Sequence, residues 1–297
     1  MSKRYKAPLG ASFIVLSSVF YASYGVWTKL MGNFFDGYTA SAYRSVIVLL
    51  LLLPIALSIR SFQPLRLRQN WHYIVGLIVA SLFTWGPIYY ATLHAGIGVS
   101  TTVNYASIVI GQFFFGWLLA GERFTRDKAL SAGLGFVGLA LIFSPSIHGL
   151  GWLALAAAAV SGLSVGANAV FAKKIKYNAT QTTVVLWSTS IFANFLMAFV
   201  LRRPVPDFGW HVEWLYLVLF AIASLVASWS LVSGVKLIDA GAAGVLGLLE
   251  IVFGVLFGVV LFHEQPGFIV LIGALVILAA AAIPYMKDYN AERGTLE

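Results

Sequence analysis

Long apolar runs that contain no charged residue are the feature that most limits what this chain can fold into. Such runs cover residues 46–56, 153–160 and 271–283. A helix needs about 20 apolar residues to cross the core of a bilayer, whereas outer-membrane barrels alternate apolar and polar residues in strands of roughly ten. The runs therefore predict membrane-spanning helices and not a barrel.

The small number of charges excludes the soluble classes of protein. Only 10% of the 297 residues are charged and 60% are hydrophobic, while a soluble domain carries about 25% charged residues. So few charges cannot cover a core of this size, which excludes soluble enzymes and nucleic-acid-binding modules. We attribute the net charge of +8 to basic cytoplasmic loops. The absence of cysteine excludes disulfides and Cys-ligated metal sites.

Polar residues, prolines and glycines divide the chain into about ten segments of spanning length. The loops between these segments are short and leave no room for a domain outside the membrane. The basic start and the apolar stretch 9–27 resemble a signal peptide, but no small-residue cleavage site follows, so we expect a retained first helix. The predicted helices lie near residues 10–29, 39–59, 73–93, 98–120, 128–144, 151–172, 180–201, 213–235, 241–262 and 268–286.

The distribution of lysine and arginine predicts which side of the membrane each loop faces. If the N-terminus is cytoplasmic, the cytoplasmic segments hold 15 of these residues and the outer loops hold 3, while Arg44 lies inside a helix. Cytoplasmic loops of membrane proteins carry an excess of Lys and Arg. Both termini are therefore predicted to be cytoplasmic.

Two parts of the chain resemble each other, which predicts an internal repeat. Residues 94–143 and 237–283 each run as an apolar helix, a Glu in a short loop, and a helix rich in Gly, Ala and Leu. The two acids, Glu122 and Glu264, are 142 residues apart, and a Phe-Gly pair precedes each of them at the same distance.

The earlier parts of the two repeats match more weakly. Residues 21–29 fall over 165–173, which places Lys29 over Lys173. Each repeat, 1–146 and 147–297, then holds about five helices, and because five is odd the second copy enters the membrane from the opposite side. Inverted repeats are typical of secondary transporters that bind their substrate near the midplane between the halves.

These features resemble the drug/metabolite transporter superfamily, in its ten-helix EamA-type branch. The residues that carry the resemblance are 121–124 (Gly-Glu-Arg-Phe) before a Gly-rich helix, their counterpart 263–266 (His-Glu-Gln-Pro), and Tyr43-Arg44. Within the superfamily the chain is most similar to bacterial aromatic and neutral amino acid exporters, through its length, its aromatic content and the stretch 84–107. The resemblance implies export of small amphipathic metabolites by alternating access in a bacterial inner membrane.

Two charges fall inside predicted helices, where an ionisable group is costly and usually functional. Glu250 lies near the middle of segment 241–262, and its repeat counterpart is Ile108, so symmetry does not require an acid there. Glu250 is a candidate proton site or contact for a substrate ammonium, with a protonated structural Glu as the alternative. Arg44 is a candidate for a substrate carboxylate, but we favour a snorkelling or helix-anchoring role for it.

Neutral polar and aromatic residues are the other candidates for substrate binding. Trp85 and Tyr89 share one helix face, and Pro87 between them predicts a kink. A substrate that is apolar at one end and zwitterionic at the other needs aromatic walls and a few amide or hydroxyl partners. Ordinary packing and interfacial aromatic belts use the same residue types. The full set of candidates is Tyr21, Tyr24, Trp85, Tyr89, Tyr90, His94, Asn104, Tyr105, Asn168, Trp229 and Ser233.

Other functions stay open beside amino acid export. Efflux of cationic drugs is one, but the small multidrug exporters of this superfamily carry a Glu in helix one, and helix one here has no acid. Another metabolite carrier of the same fold is a second. A membrane-embedded enzyme is disfavoured, because no catalytic cluster is visible. We expect small-molecule substrates and a lipid bilayer as partners, with no cofactor, metal or nucleic acid, and leave the oligomeric state open.

Overall fold

The computed structural model describes residues 3–60, 62, 64, 67–144 and 151–293, without the side chains of 3–5, 67, 97–98 and 284–293. This part of the chain is helical, with short loops and no strand. The predicted boundary between residues 146 and 147 lies outside it. The helices are α1 (Lys3–Ala22), α2 (Tyr24–Met31), α3 (Gly37–Ser58), α4 (Leu67–Ala120), α5 (Arg126–Phe143), α6 (Trp152–Lys174), α7 (Ala179–Val200), α8 (Val212–Val235), α9 (Ala240–Gly247), α10 (Leu249–Phe262) and α11 (Phe268–Arg293).

These helices form ten segments that match the ten expected from the sequence. The pairs α1–α2 and α9–α10 each make one segment, and α4 makes two. Among the described residues, eight segments are long and apolar enough to cross a membrane; α5 and the described apolar part of α11, Phe268–Ile283, fall short of that limit. The expected all-helical membrane architecture with about ten spans is confirmed.

The break within α4 lies at Gly96, between the predicted segments 73–93 and 98–120. The backbone keeps helical angles through Pro87 and departs from them at Gly96, with φ 78° and ψ 162°. Residues with a side chain rarely adopt a φ in this range, whereas glycine does so at little cost. The first helix of α4 therefore ends at Gly96, and the second covers Val99–Ala120.

Polar residues in the loops set where several helices begin. The side chains of Asp36, Thr125 and Asn178 accept hydrogen bonds from backbone N–H groups in the first turns of α3, α5 and α7. Such caps satisfy donors that the helix itself leaves free. These three helices begin one or two residues earlier than predicted, because the capped first turns contain polar residues that hydropathy assigned to the loops.

Helices that precede residue 145 pack against helices that follow residue 150. α1 packs along α8, α3 along α7, α4 along α6, and α5 along α11. Small residues permit this close contact: a Cβ atom at Gly138 would lie 2.8 Å from the carbonyl oxygen of Gly273, and one at Gly166 would lie 2.7 Å from that of Ile108. The two halves of the chain are thus joined along their length, and a cavity lies between them.

Candidate functional site

A cavity of about 810 Å³ lies between the two halves of the chain and is lined by residues from α1 to α10. Its wall is largely apolar and aromatic, with a limited number of polar side chains. Binding sites for small molecules are concave, mostly apolar, and roughly 300–1,000 Å³ in volume. The cavity therefore has the size and lining of a small-molecule site.

Arg44 of α3 lies in the wall of this cavity, inside a cluster of aromatic rings. Its guanidinium carbon lies 4.3 Å from the ring centroid of Phe220 and 4.9 Å from that of Tyr24. Trp85 and Trp187 follow at 5.6 and 5.7 Å. The rings offset part of the cost of burying the charge.

The charge of Arg44 has no acidic partner within the protein. The residue is 4% exposed, its Nε atom makes no hydrogen bond, and no carboxylate of the described residues lies within ion-pair distance. A snorkelling arginine would carry its charge to water, and Arg44 does not. A buried unpaired guanidinium is costly to the fold and is free to bind an anion.

Glu250 of α10 lines the same cavity. Its Oε1 atom accepts a 2.6 Å hydrogen bond from the hydroxyl of Tyr105 on α4. No Lys or Arg in the described part of the chain lies within ion-pair distance of it. Tyr21, Glu250 and Arg44 all line this cavity.

Several polar atoms of the cavity wall are buried without a hydrogen-bond partner among the described residues. Buried polar groups are almost always hydrogen-bonded in proteins, so each of these is a group that a bound polar molecule or water would satisfy. Within the same described residues, no group of three side chains suited to hold a metal ion occurs. The unpartnered atoms of the wall are Ser17 Oγ, Arg44 Nε, Gln112 Oε1 and Asn168 Oδ1.

Six of the predicted substrate-binding residues line the cavity. They come from four separate membrane segments, which is why spacing along the chain did not group them. Trp85 is the one member of the predicted Trp85/Tyr89 pair that reaches the wall. The six are Tyr21, Tyr24, Trp85, Asn104, Tyr105 and Asn168.

The other five predicted residues lie away from the cavity. Tyr89 is 43% exposed, and the guanidinium of Arg203 lies 5.3 Å from its ring. His94 stacks on Tyr90 with ring centroids 4.0 Å apart. The last two belong to helix packing, since Trp229 donates from Nε1 to Thr180 Oγ1 at 3.1 Å and Ser233 donates to the Trp229 carbonyl at 2.7 Å.

α7 contributes to the wall a polar face that was not among the candidates predicted from the sequence. Trp187, Ser190 and Asn194 line the cavity, and their spacing of three and four residues puts them on one side of the helix. Trp187 Nε1 also donates to Ser228 Oγ at 2.8 Å. A polar stripe in an otherwise apolar helix was the signal that could have identified these residues.

At the predicted cytoplasmic end, Glu122 in the loop after α4 joins the two halves. Its carboxylate accepts a 2.6 Å bond from Lys173 Nζ and bonds of 2.9 and 2.8 Å from the backbone N–H of Ala240, the first residue of α9. The side chains of Glu122 and Lys173 are only 10% and 18% exposed. A carboxylate at a helix N-terminus is further stabilised by the helix dipole.

Two other lysines stand at this end. Lys128 Nζ pairs with the carboxylate of Asp239, which immediately precedes α9. Lys236, just after α8, donates to the carbonyl of Ile175 at 2.8 Å. Burial lowers the pKa of Lys236 to about 8.

At the opposite end, Glu264 in the loop after α10 lines the cavity and is exposed. It pairs with Lys29 of α2 at 3.0 Å, and the two side chains are 59% and 53% exposed. The ammonium of Lys29 also lies 3.9 Å from the ring centroid of Phe262. The cavity therefore reaches the protein surface at the Glu264 end.

Comparison with known proteins assigns this architecture to a family. The model of the EamA-like transporter family matches residues 8–144 and again residues 152–286. Two relatives, each named an uncharacterized transporter, come from Helicobacter pylori strains ATCC 700392 / 26695 and J99 / ATCC 700824. Each is 22% identical over 261 residues, covering 85% of this chain and 86% of the relative. One solved crystal structure shares the fold, with a TM-score of 0.79 and 20% identity over 95% of this chain and 98% of that chain.

Proposed function

We propose a substrate class and a transport mechanism for this chain, starting from the premise that it belongs to the EamA-like transporter family of multi-pass membrane proteins. It exports small amphipathic metabolites, chiefly aromatic and other neutral amino acids, across the bacterial inner membrane. It works by alternating access between two inverted five-helix repeats, 1–146 and 147–297. The observation that supports the proposal is the cavity between the halves, which combines aromatic walls with one buried cation and one half-buried acid.

The two charges of the cavity suit the two charges of an amino acid. Arg44 offers a guanidinium to a carboxylate, and Glu250 offers a carboxylate to an ammonium. Neither has an ion-pair partner among the described residues. A zwitterion that reaches both would supply the missing partners, and the rings of Tyr24 and Trp85 would then contact an apolar side chain.

Efflux of organic cations is the second candidate, because an acid in an aromatic cavity binds cations. Glu250 with Tyr105 and Tyr21 offers such a site. The buried Arg44 argues against it, since a fixed positive charge in the same cavity repels a cationic ligand. A zwitterion meets no such repulsion, which is why we favour amino acids.

The proposal is tested by flux in proteoliposomes that hold the purified protein. Labelled Phe, Trp, Thr and Met are compared with a sugar and with a quaternary ammonium. We expect saturable amino acid flux that falls about tenfold or more in Arg44→Gln and in Glu250→Gln, the size of one lost charge-assisted hydrogen bond. The variant Tyr90→Phe, away from the cavity, is the matched control and keeps its flux. Flux of the ammonium alone would move the protein to cation efflux, and no flux of any compound would contradict the substrate class.

A further inference from the structure

Two Lys–Glu pairs join opposite halves of the chain at opposite ends of the cavity. Lys173 pairs with Glu122 at 2.6 Å, and Lys29 pairs with Glu264 at 3.0 Å. In the sequence match between the repeats, the two lysines fall over each other and so do the two acids. The chain therefore makes the same contact twice, with the roles of the halves exchanged.

Each acid also lies in the same local structure. The N–H of Glu122 donates to the carbonyl of Gly116 at 3.1 Å, and the N–H of Glu264 donates to that of Gly258 at 3.1 Å. The residue before each acid has a left-handed backbone, with φ of 67° at Gly121 and 53° at His263. Both loops thus present their carboxylate in the same way to the other half.

The carboxylates rest on equivalent glycines as well. A Cβ atom at Gly116 would lie 2.7 Å from Glu122 Oε2, and one at Gly258 would lie 2.5 Å from Glu264 Oε2. A side chain at either glycine position would displace the carboxylate, so glycine is needed at both. The similarity therefore extends to the helix that precedes each acid and against which its carboxylate packs.

The two pairs differ in what else the acid binds. Glu122 accepts from the N–H of Ala240 at the start of α9, while Glu264 is 59% exposed. At the offset of 142 residues that relates the two acids, Ala240 at the start of α9 corresponds to residue 98, directly before the second helix of α4 begins at Val99. Glu122 of the first repeat thus caps a helix of the second repeat, α9. The second helix of α4 in the first repeat is the equivalent helix that Glu264 could cap.

We propose that these residues are the two gates of the transport cycle and that only one gate is fully formed at a time. The Glu122 gate (Glu122, Lys173 and the N–H of Ala240) closes the predicted cytoplasmic end. The Glu264 gate forms when Glu264 and Lys29 become buried and Glu264 caps the helix that begins at Val99. The inference rests on the proposed alternating access, and it names the contacts that exchange. Weakening one gate shifts the population toward the state that forms the other.

A second ion pair connects the halves at the Glu122 end, where Lys128 pairs with Asp239. Their counterparts at the same offset are Val270 and Ile97, which carry no charge, so the repeat does not place this pair at the Glu264 end. At the predicted outer end the halves are joined instead by Asp36 and Arg203, 3.8 Å apart. Because the Glu122 gate is buried and the Glu264 pair is exposed in this structure, the state open at the Glu264 end is the resting state.

The test uses the absence of cysteine from the chain. A single Ser190→Cys substitution places a thiol on the cavity wall, where either opening gives access to it. A membrane-impermeant thiol reagent is added from one side of sealed right-side-out or inside-out vesicles, and the labelling rates are compared. In the parent we expect labelling from the Glu264 end and little from the cytoplasmic side.

Glu122→Gln is expected to raise labelling from the cytoplasmic side about tenfold or more and to lower it from the other side, because Lys173 loses its buried partner. Lys173→Gln should act in the same direction. Glu264→Gln should not raise cytoplasmic labelling, and Glu213→Gln, the same charge loss at the start of α8, should behave as the parent does. Size-exclusion profiles identify variants that fold.

Two results would overturn the gate assignment. One is folded Glu122→Gln and Lys173→Gln protein that labels as the parent does from both sides. The other is a rise from both sides together, which indicates a loosened structure and not a shift between states. The labelling needs no substrate, so it is independent of the substrate class. Amino acid flux with unchanged labelling rejects the gates alone, and shifted labelling without flux rejects the substrate class alone.

Discussion

The two ends of the cavity contain the same pair of residues in different surroundings. At one end Glu122 and Lys173 are 10% and 18% exposed, and at the other Glu264 and Lys29 are 59% and 53% exposed. The loops that carry the acids have the same hydrogen bond and the same left-handed residue. Local sequence therefore produces the same turn twice, while contact with α9 decides how deeply the acid is buried.

This difference in burial also decides how strongly each pair acts on the free energy of the fold. Exposed ion pairs contribute about 0–1 kcal/mol, because water and salt screen them. Removing one partner of a buried pair costs about 3–5 kcal/mol, because the other charge is left buried and unpaired. The two ends should therefore respond very differently to the same substitution.

The largest effect is expected when each acid is removed in turn. Glu122→Ala should destabilise the protein by about 3–5 kcal/mol, because Lys173 and the N–H of Ala240 lose their partner. Glu264→Ala should cost about 0–1 kcal/mol. Thermal unfolding in detergent, followed by tryptophan fluorescence, measures both. Equal losses of melting temperature would contradict the difference between the two ends.

A smaller effect is expected at the glycines beneath the two acids. Gly116→Ala pushes a Cβ atom against the buried carboxylate of Glu122 and should cost about 1–3 kcal/mol, the usual penalty for overpacking. Gly258→Ala meets the carboxylate of Glu264, which can move into solvent, so its cost should be well below that. The same unfolding assay ranks the two variants. A larger loss for Gly258→Ala would show that the contact with α9 is not what fixes Glu122.

The pH dependence of stability should separate a lysine shielded from water from an exposed one. Because the pKa of Lys236 is lowered from 10.5 to about 8, the folded protein releases a proton that the unfolded chain keeps. Stability should then rise with pH between about 8 and 10.5. Lys236→Met should flatten this rise, and exposed Lys176→Met should not. A profile that Lys236→Met leaves unchanged would contradict the burial of this charge.

The smallest effect is expected from salt. The Debye length falls from about 10 Å at 0.1 M to about 3 Å at 1 M, so exposed pairs are screened far more than buried ones. The small change in melting temperature caused by Glu264→Gln should vanish at high salt, while that caused by Glu122→Gln should persist. A salt-independent effect of Glu264→Gln would place Glu264 in a less exposed setting than the structure does.

The architecture was largely predictable from the sequence because hydropathy along the chain directly reflects which segments lie in a bilayer. The repeat match also placed Lys29 over Lys173 and Glu122 over Glu264. It did not show that each lysine pairs with the acid of the other half, since that depends on how the helices pack. The break at Gly96 also lies where the sequence predicted an interruption, between segments 73–93 and 98–120.

The cavity was only partly predictable. Glu250 and Tyr105 were both candidates, but nothing in the sequence showed that they contact each other. Tyr89 and Trp229 were predicted from residue type and lie outside the cavity wall. A membrane helix is apolar on all sides, so its residue pattern does not show which face points toward the cavity. The burial of Arg44 was not foreseen, since aromatic rings from α2, α4, α7 and α8 come together only in the folded chain.

The proposed alternation, in which the two ends of one cavity close in turn, makes a direct structural prediction. It is tested most directly by distances between spin-label pairs, Arg123→Cys with Lys176→Cys at one end and Leu30→Cys with Gln265→Cys at the other. All four side chains are exposed, so labels should disturb the fold little. We predict that Glu122→Gln lengthens the first distance and shortens the second. Distances that stay constant, or that both lengthen, would contradict the account.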